Sequence, residues 1–188
     1  MRTSTTWRRS RGWCHLGEGL TARPAHRADA SAIAIIYNAG IAERTATFET
    51  RPRGVDEVAA WFERPHPIVV VQDRGAVIGF AATFPYRPGR DCYAGIAEFS
   101  VYVAPHARRR GAGRIAMAAL LDAAERAGVW KLLSRVFVEN AASRRLLGEV
   151  GFREVGIYRR HARLDGEWRD VVIVERLLGE ALRASSPS

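Results

Sequence analysis

One segment constrains this chain more than any other: Ser-Val-Tyr-Val-Ala-Pro-His-Ala-Arg-Arg-Arg-Gly-Ala-Gly-Arg, residues 100–114. It starts as β-branched and aromatic strand, stops at Pro105, turns through glycines and opens a long Ala-rich helix. Gly111 and Gly113 have no side chains, so backbone N–H groups there can approach a ligand closely. They fall at a helix start, where the first amides lack internal acceptors and the dipole favours an anion. Arg108, Arg109, Arg110 and Arg114 flank the turn and offer charge-assisted donors. The combination specifies a pyrophosphate site between a strand and a helix. A third glycine at dinucleotide-fingerprint spacing is missing, and so is the Gly-Lys-Ser/Thr of a P-loop. Spacing alone leaves open a plain glycine turn with a solvated arginine face.

The rest of the chain supplies a matching scaffold. Residues 20–23 suit a short strand. Ile33, Ile36, Tyr37, Gly40 and Ile41 share one helical face. A shorter helix follows Gly54 and ends at Pro65 and Pro67. Ile68–Val71 and Ala76–Phe84 form strands around an Asp73-Arg74-Gly75 turn. After a loop rich in Pro, Gly and Arg (85–92), a strand runs over Ile96–Val103. A helix follows over 110–127, then a strand over 130–138 and a helix over 140–149. A last hairpin, 152–163 and 167–177, turns at Asp165-Gly166. The order β-α-α-β-β-β-α-β-α-β-β describes a mixed α/β domain around one sheet.

The 188 residues suit one domain, placed at 20–178, with a basic and disordered tail at 1–19 and a frayed tail at 179–188. No apolar run approaches the ~18 residues of a transmembrane helix, and residues 1–20 carry no secretory signal. Cys14 and Cys92 read as unpaired thiols of a cytoplasmic protein. The net charge of +9 would suit nucleic acid. However, Arg2, Arg8, Arg9 and Arg11 in the tail and the 108–114 cluster account for much of it. Neither aromatic-basic interleaving nor zinc-ligand spacing is present, so the expectation is no nucleic acid, no membrane and no metal.

Arg108-x-x-Gly111-x-Gly113, following a Val-Tyr-Val strand and opening a helix, resembles the (Arg/Gln)-x-x-Gly-x-(Gly/Ala) loop of the GNAT N-acetyltransferase superfamily. Glu139-Asn140-Ala141-Ala142-Ser143, with Gly151-Phe152 closing the helix, resembles that family's Asn-x-x-Ala/Ser segment. The likeness runs from about Leu20 to about Leu178. It implies a single GNAT-type domain with splayed strands and acetyl-CoA as co-substrate. Val101, Tyr102 and Val103 would line the pantetheine arm, with backbone bonds from Val101 and Val103. Arg108, Arg109, Arg110, Gly111, Ala112, Gly113 and Arg114 would wrap the pyrophosphate, and Asn140 would touch the pantetheine region.

Thr45–Thr50, Pro85-Tyr86-Arg87-Pro88 with Arg90 and Tyr93, Glu98–Val103 and Gly166–Val171 resemble a narrower group, the phosphinothricin and arsinothricin N-acetyltransferases. Such acceptors are small anionic amino-acid mimics. Arg87 and Arg90 are the candidates for their oxyanions, because a guanidinium fork matches them bidentately. An α-amine must lose a proton before it attacks, and the resemblance gives that role to Glu98. Phe48 and Tyr93 would wall the acceptor pocket, and Trp168 would join from the last hairpin or across a dimer. A homodimer is the resemblance-based expectation.

Two departures stand out. Gly89 is inserted between the arginines and displaces Arg87. Leu147 occupies a position where the family usually has His or Tyr near the leaving thiolate. Competing readings are a GNAT enzyme for another small amine or a protein N-terminus, and a coenzyme A-binding module without turnover.

Overall fold

The computed structural model describes residues 14–15 and 19–183. The elements are β1 (Cys14–His15), β2 (Leu20–Pro24), α1 (Ala30–Ala42), α2 (Val55–Ala59), β3 (Ile68–Asp73), β4 (Ala76–Pro85) and β5 (Ile96–Val103). They continue with α3 (Ala112–Arg126), β6 (Lys131–Phe137), α4 (Ala141–Glu149), β7 (Arg153–Leu164), β8 (Glu167–Leu177) and α5 (Gly179–Arg183). They build one mixed eight-stranded sheet in the order β1-β2-β3-β4-β5-β6-β8-β7. Helices cover both faces, so the fold is α/β as the sequence pattern requires.

Two differences from the sequence pattern lie in the tails. Most of the basic tail falls outside the described residues, but Cys14–His15 pairs with Thr21 and Ala22. Residues 179–183, expected to fray, form α5 behind the buried Leu178. Cys92 is an exposed free thiol.

The β-branched run Ile68–Val71 is buried along its length because the sheet is covered on both sides here. Phe80 on β4 and Tyr102 on β5 stack with centroids 5.5 Å apart, and Tyr37 of α1 meets both rings. That places α1 on the face shared by Glu98, Ser100 and Tyr102. Val103, one residue on, points to the other face, where it packs near Gly113 of α3. Behind α1, Arg23 of β2 makes a bidentate ion pair with the buried Asp29, both bonds 2.7 Å, fixing the connection into α1.

The feature that positions the site is the parallel pair β5–β6. It is laddered only at Ile96–Lys131, Ala97–Leu132 and Glu98–Leu133. Beyond that the strands diverge, while β5 stays paired to β4 as far as Val103. At the closed end the Gly95 carbonyl accepts from the amides of Trp130 (2.8 Å) and Lys131 (3.2 Å). A Cβ on Gly95 would lie 1.9 Å from the Trp130 ring, so only glycine fits. Where the ladder ends, the Ser134 hydroxyl donates to the Phe99 carbonyl at 2.9 Å and takes over from the missing backbone bond.

Candidate active site

Ladder parity decides what faces the split. The Ala104 amide bonds to Ile78 of β4, and the Ile96 carbonyl accepts from Tyr86 beyond the end of β4. Backbone groups alternate sides along an antiparallel strand, so the even-numbered residues of β5 serve β4. Phe99, Val101 and Val103 therefore direct their N–H and C=O groups into the split. Consistently, the Phe99 carbonyl meets Ser134, and the Val103 carbonyl accepts from Arg108 Nε at 3.3 Å.

On one side of the split lies a cleft of about 540 Å³. Its walls include Val101, Tyr102, Val103, Arg108, Arg109, Gly111, Gly113, Arg114 and Asn140. Gly111 is the N-cap of α3 with φ 85°, which turns the chain so that the first amides of the helix open onto the cleft. This is why the helix starts at Ala112 rather than at 110. Arg109 also takes a positive φ, 62°. Arg108 pairs with Glu43 at 2.7 Å beside the cleft. Arg110 turns away to Asp73 at 2.7 Å, and Ala112 is buried beneath the turn. A Cβ on Gly113 would come within 3.0 Å of Leu146, so glycine lets α3 and α4 close around the cradle. Asn140 is the N-cap of α4 rather than its first residue. Its Oδ1 accepts from Ser143 N at 3.0 Å, and its Nδ2 donates to the Thr45 carbonyl at 3.1 Å. Glycines, helix-start amides and arginines together match the phosphate chemistry of a nucleotide-bearing coenzyme.

On the other side lies a cavity of about 370 Å³, continuous with the cleft through Ala46, Val101, Tyr102, Asn140 and Ser143. Glu98 lines it and is paired across the split with Arg135 of β6. Phe48 packs edge-on against Phe137 at 4.8 Å, from a loop that Asn38 clamps by two bonds to the backbone of Arg53, 2.8 and 2.9 Å. Burial pushes the phenols of Tyr37 and Tyr102 above their ordinary range, while hydrogen bonding to Thr47 works the other way, so both stay neutral. Leu147 is buried at the cavity wall, without a group that could donate a proton.

Several of the expected acceptor residues lie apart from this lining. Arg87 sits over the rings of Tyr86 (5.4 Å) and Tyr93 (5.6 Å) in an exposed loop, and Arg90 is exposed at its middle. Trp168 is half-exposed beneath the guanidinium of Arg163, 4.4 Å away. Conversely, the cavity contains Arg135, Tyr37, Phe137 and His161, which the sequence reading did not single out. Arg135 had a local signal, a charge between the apolar pairs Leu132-Leu133 and Val136-Phe137. His161 had none, because a strand irregularity places it.

Among the described residues no helix is long and apolar enough to cross a membrane. None of their His, Cys, Asp and Glu side chains form a group that could hold a metal ion.

The chain belongs to the acetyltransferase (GNAT) family, whose model matches residues 36–152. Fold and family together make it a GNAT-fold acetyltransferase. Within the family it is similar to phosphinothricin N-acetyltransferase of Streptomyces coelicolor, 34% identical over 163 residues, covering 83% of this chain and 95% of that one. It is also similar to an L-methionine sulfoximine/L-methionine sulfone acetyltransferase of Salmonella typhimurium, 31% identical over 86% of this chain and 96% of that one. Among solved structures, a phosphinothricin acetyltransferase from Sinorhizobium meliloti in complex with acetyl-CoA superposes with a TM-score of 0.81. It is 30% identical, over 90% of this chain and 94% of that one. A ribosomal-protein-alanine N-acetyltransferase from Brucella melitensis reaches a TM-score of 0.79 at 30% identity, over 84% of this chain and 99% of that one.

Proposed function

We propose that this enzyme transfers acetyl from acetyl-CoA to the α-amine of a small amino-acid-like toxin of the phosphinothricin, arsinothricin or methionine sulfoximine type. The observation that carries the reading is the pairing of two dissimilar pockets across one split strand pair. A glycine-arginine cradle lies on one side, and a carboxylate-bearing cavity lies on the other. The similarity to acetyltransferases for phosphinothricin and methionine sulfone supports the choice of acceptor.

The cradle fits acetyl-CoA. Gly111, Gly113, Arg108, Arg109 and Arg114 would hold its pyrophosphate, and the backbone groups of Val101 and Val103 its pantetheine arm. Bound there, acetyl-CoA supplies an activated thioester carbon that ends as an amide carbon as the thiolate departs. Glu98 takes the proton from the acceptor's ammonium group, leaving a lone pair for the new C–N bond. Arg135 holds the Glu98 carboxylate in place and adds positive charge where an acceptor carboxylate would sit. The backbone N–H of Val101 points into the split, where it would meet the thioester carbonyl oxygen as negative charge builds there. The nitrogen gives up a second proton as the amide forms; Leu147 cannot relay it, so it would go to water or to the departing thiolate, whose thiol pKa is about 8.5.

In this reading the enzyme is cytoplasmic and works as a homodimer. The half-exposed Val155, Ile157, Tyr158 and Trp168 of the last hairpin support a covered hairpin. The similarity to a ribosomal-protein-alanine acetyltransferase keeps a protein N-terminus as the second reading.

The test is thiol release from acetyl-CoA with phosphinothricin, arsinothricin, methionine sulfoximine, glutamate and an alanine-terminated peptide. Release with one of the first three is the expected outcome. Release with the peptide alone would replace this reading by the second. Acetyl-CoA binding without release would leave a coenzyme-binding module.

A further inference from the structure

β7 is irregular against β8 at two places, between Glu154 and Gly156 and between Tyr158 and Ala162, and the second is the wider. Its ladder with β8 runs to Tyr158–Val171 and resumes at Ala162–Arg169, so Arg159, Arg160 and His161 all stand opposite Asp170. The bulge is fixed rather than slack. Arg160 takes a positive φ of 49°, and its amide donates to Asp170 Oδ1 at 2.6 Å. The Asp170 carbonyl in turn accepts from Val138, just beyond the end of β6, at 3.2 Å. Bulges of this kind re-aim a side chain that a regular strand would send elsewhere.

The side chain re-aimed here is His161. Its ring lies 6.1 Å from Phe48 and 5.5 Å from Tyr158, and it lines the same cavity as Glu98. His161 is exposed, and no described residue hydrogen-bonds its imidazole, which leaves the ring free to meet a ligand. In the sheet order β7 lies three strands from β5, which at a strand spacing of about 4.8 Å is roughly 14 Å, and more where β5 and β6 diverge. His161 therefore stands at the end of the cavity remote from the split. In the acetyl-transfer reading, an acceptor whose amine faced Glu98 would extend its side chain towards His161.

We propose that His161 is a specificity residue for the acceptor, hydrogen-bonding the polar terminus of its side chain through the imidazole. This rests on the acetyl-transfer reading of the same cavity. Asp170 is a positioning residue that acts through the bulge. The arrangement discriminates a terminus carrying oxygen atoms from an aliphatic or thioether terminus of similar size, because only the first gives the imidazole a partner.

The experiment compares L-methionine sulfone with L-methionine in the wild type, His161→Ala, His161→Gln and Asp170→Asn. kcat and KM are measured for each amine and for acetyl-CoA. His161→Ala is expected to lower kcat/KM for the sulfone about tenfold, mainly through KM, which corresponds to about 1.4 kcal/mol. The thioether and the KM for acetyl-CoA should be unaffected. His161→Gln, which retains a donor, should recover part of the preference, and Asp170→Asn should lose part of it. An unchanged sulfone-to-thioether ratio in His161→Ala overturns the proposal and leaves the acetyltransferase reading intact.

A second readout separates the two failures. The imidazole proton resonance of His161, assigned by its loss in His161→Gln, is followed while methionine sulfone is added. If the wild type turns over no amine, the functional reading fails. A shifted resonance then still supports His161 as an acceptor contact, and an unmoved one overturns it.

Discussion

The cleft and the cavity touch at Val101, Tyr102 and Asn140, but they are built in opposite ways. Gly111, Gly113 and three of the arginines of the cleft come from one continuous stretch, β5 through the start of α3, which α4 and the 40–46 segment close. The cavity is assembled from α1, the 46–49 loop, β4, β5, β6, α4 and the bulge of β7. Binding a phosphate-bearing group needs backbone amides and fixed charge, which a local motif can supply. Recognising a small acceptor needs side chains converging from several directions, which only tertiary structure supplies. One side can therefore be read from residue types and spacing, and the other only after the chain has folded.

If the two sides are functionally separate, Glu98→Gln should be the most lopsided variant. It removes the proposed base without altering the cradle, so kcat should fall about 10²–10⁴-fold. The acetyl-CoA dissociation constant, followed by calorimetry, should be unchanged. A loss of coenzyme affinity would mean that the Glu98–Arg135 pair holds the split itself together, and the two sides could then no longer be treated as separate.

A control for both sides lies behind α1. Asp29 and Arg23 are largely buried, and removing one partner of such a pair costs about 3 kcal/mol. Asp29→Ala should lower the denaturation midpoint accordingly while leaving both KM values unchanged at permissive temperature. Burial alone would raise the Asp29 pKa. The bonds from Arg23 and the His26 amide outweigh it and hold the group below its ordinary range. The group therefore stabilises the fold above the unfolded carboxylate pKa of about 4, and that contribution is lost as pH falls through the depressed folded value. Asp29→Asn should flatten this acid limb of the stability profile, and an unchanged limb would reassign it to another carboxylate.

Gly111→Val should act on the coenzyme side alone. The position has open space for a Cβ, so the cost is the left-handed φ rather than a clash. About 1–2 kcal/mol of strain would either weaken acetyl-CoA binding roughly tenfold or unwind the first turn of α3. A comparable rise in the acceptor KM would show that the cradle also shapes the acceptor cavity.

The same contrast explains what the sequence carried. Element types and order were legible, because Ile68–Val71, the Ala-rich α3 and the Asp165-Gly166 turn each follow short-range rules. Where the strands split was not legible from residue patterns. It depends on Trp130 lying on Gly95 and Ser134 bridging to Phe99, both contacts between distant segments. Glu98 had a strand alternation and a family resemblance behind it. Arg87 and Arg90 had charge, loop position and the resemblance of the Pro85–Pro88 segment behind them, and none of these says which way a loop folds. His161 depends on a bulge whose anchor, Asp170, is ten residues away on the facing strand.

Asn140 gives the smallest expected effect and the sharpest view of the boundary, because it borders both spaces. One of its atoms caps α4, and another holds the Thr45 carbonyl in the loop that carries Phe48. Asn140→Ala removes both contacts. The lost cap costs about 1 kcal/mol, or roughly 2–4 °C in Tm for a chain of this size. Both KM values should rise about two- to fivefold, because the helix start and the loop loosen together. Asn140→Ser separates the two contacts. Its hydroxyl can still cap α4 but is too short to reach Thr45, so Tm should recover while the acceptor KM stays raised. If serine also restores the acceptor KM, the loop is held by Asn38 and its neighbours alone. Asn140 would then belong to the coenzyme side, and the two spaces would meet at β5, Ala46 and Ser143 without it.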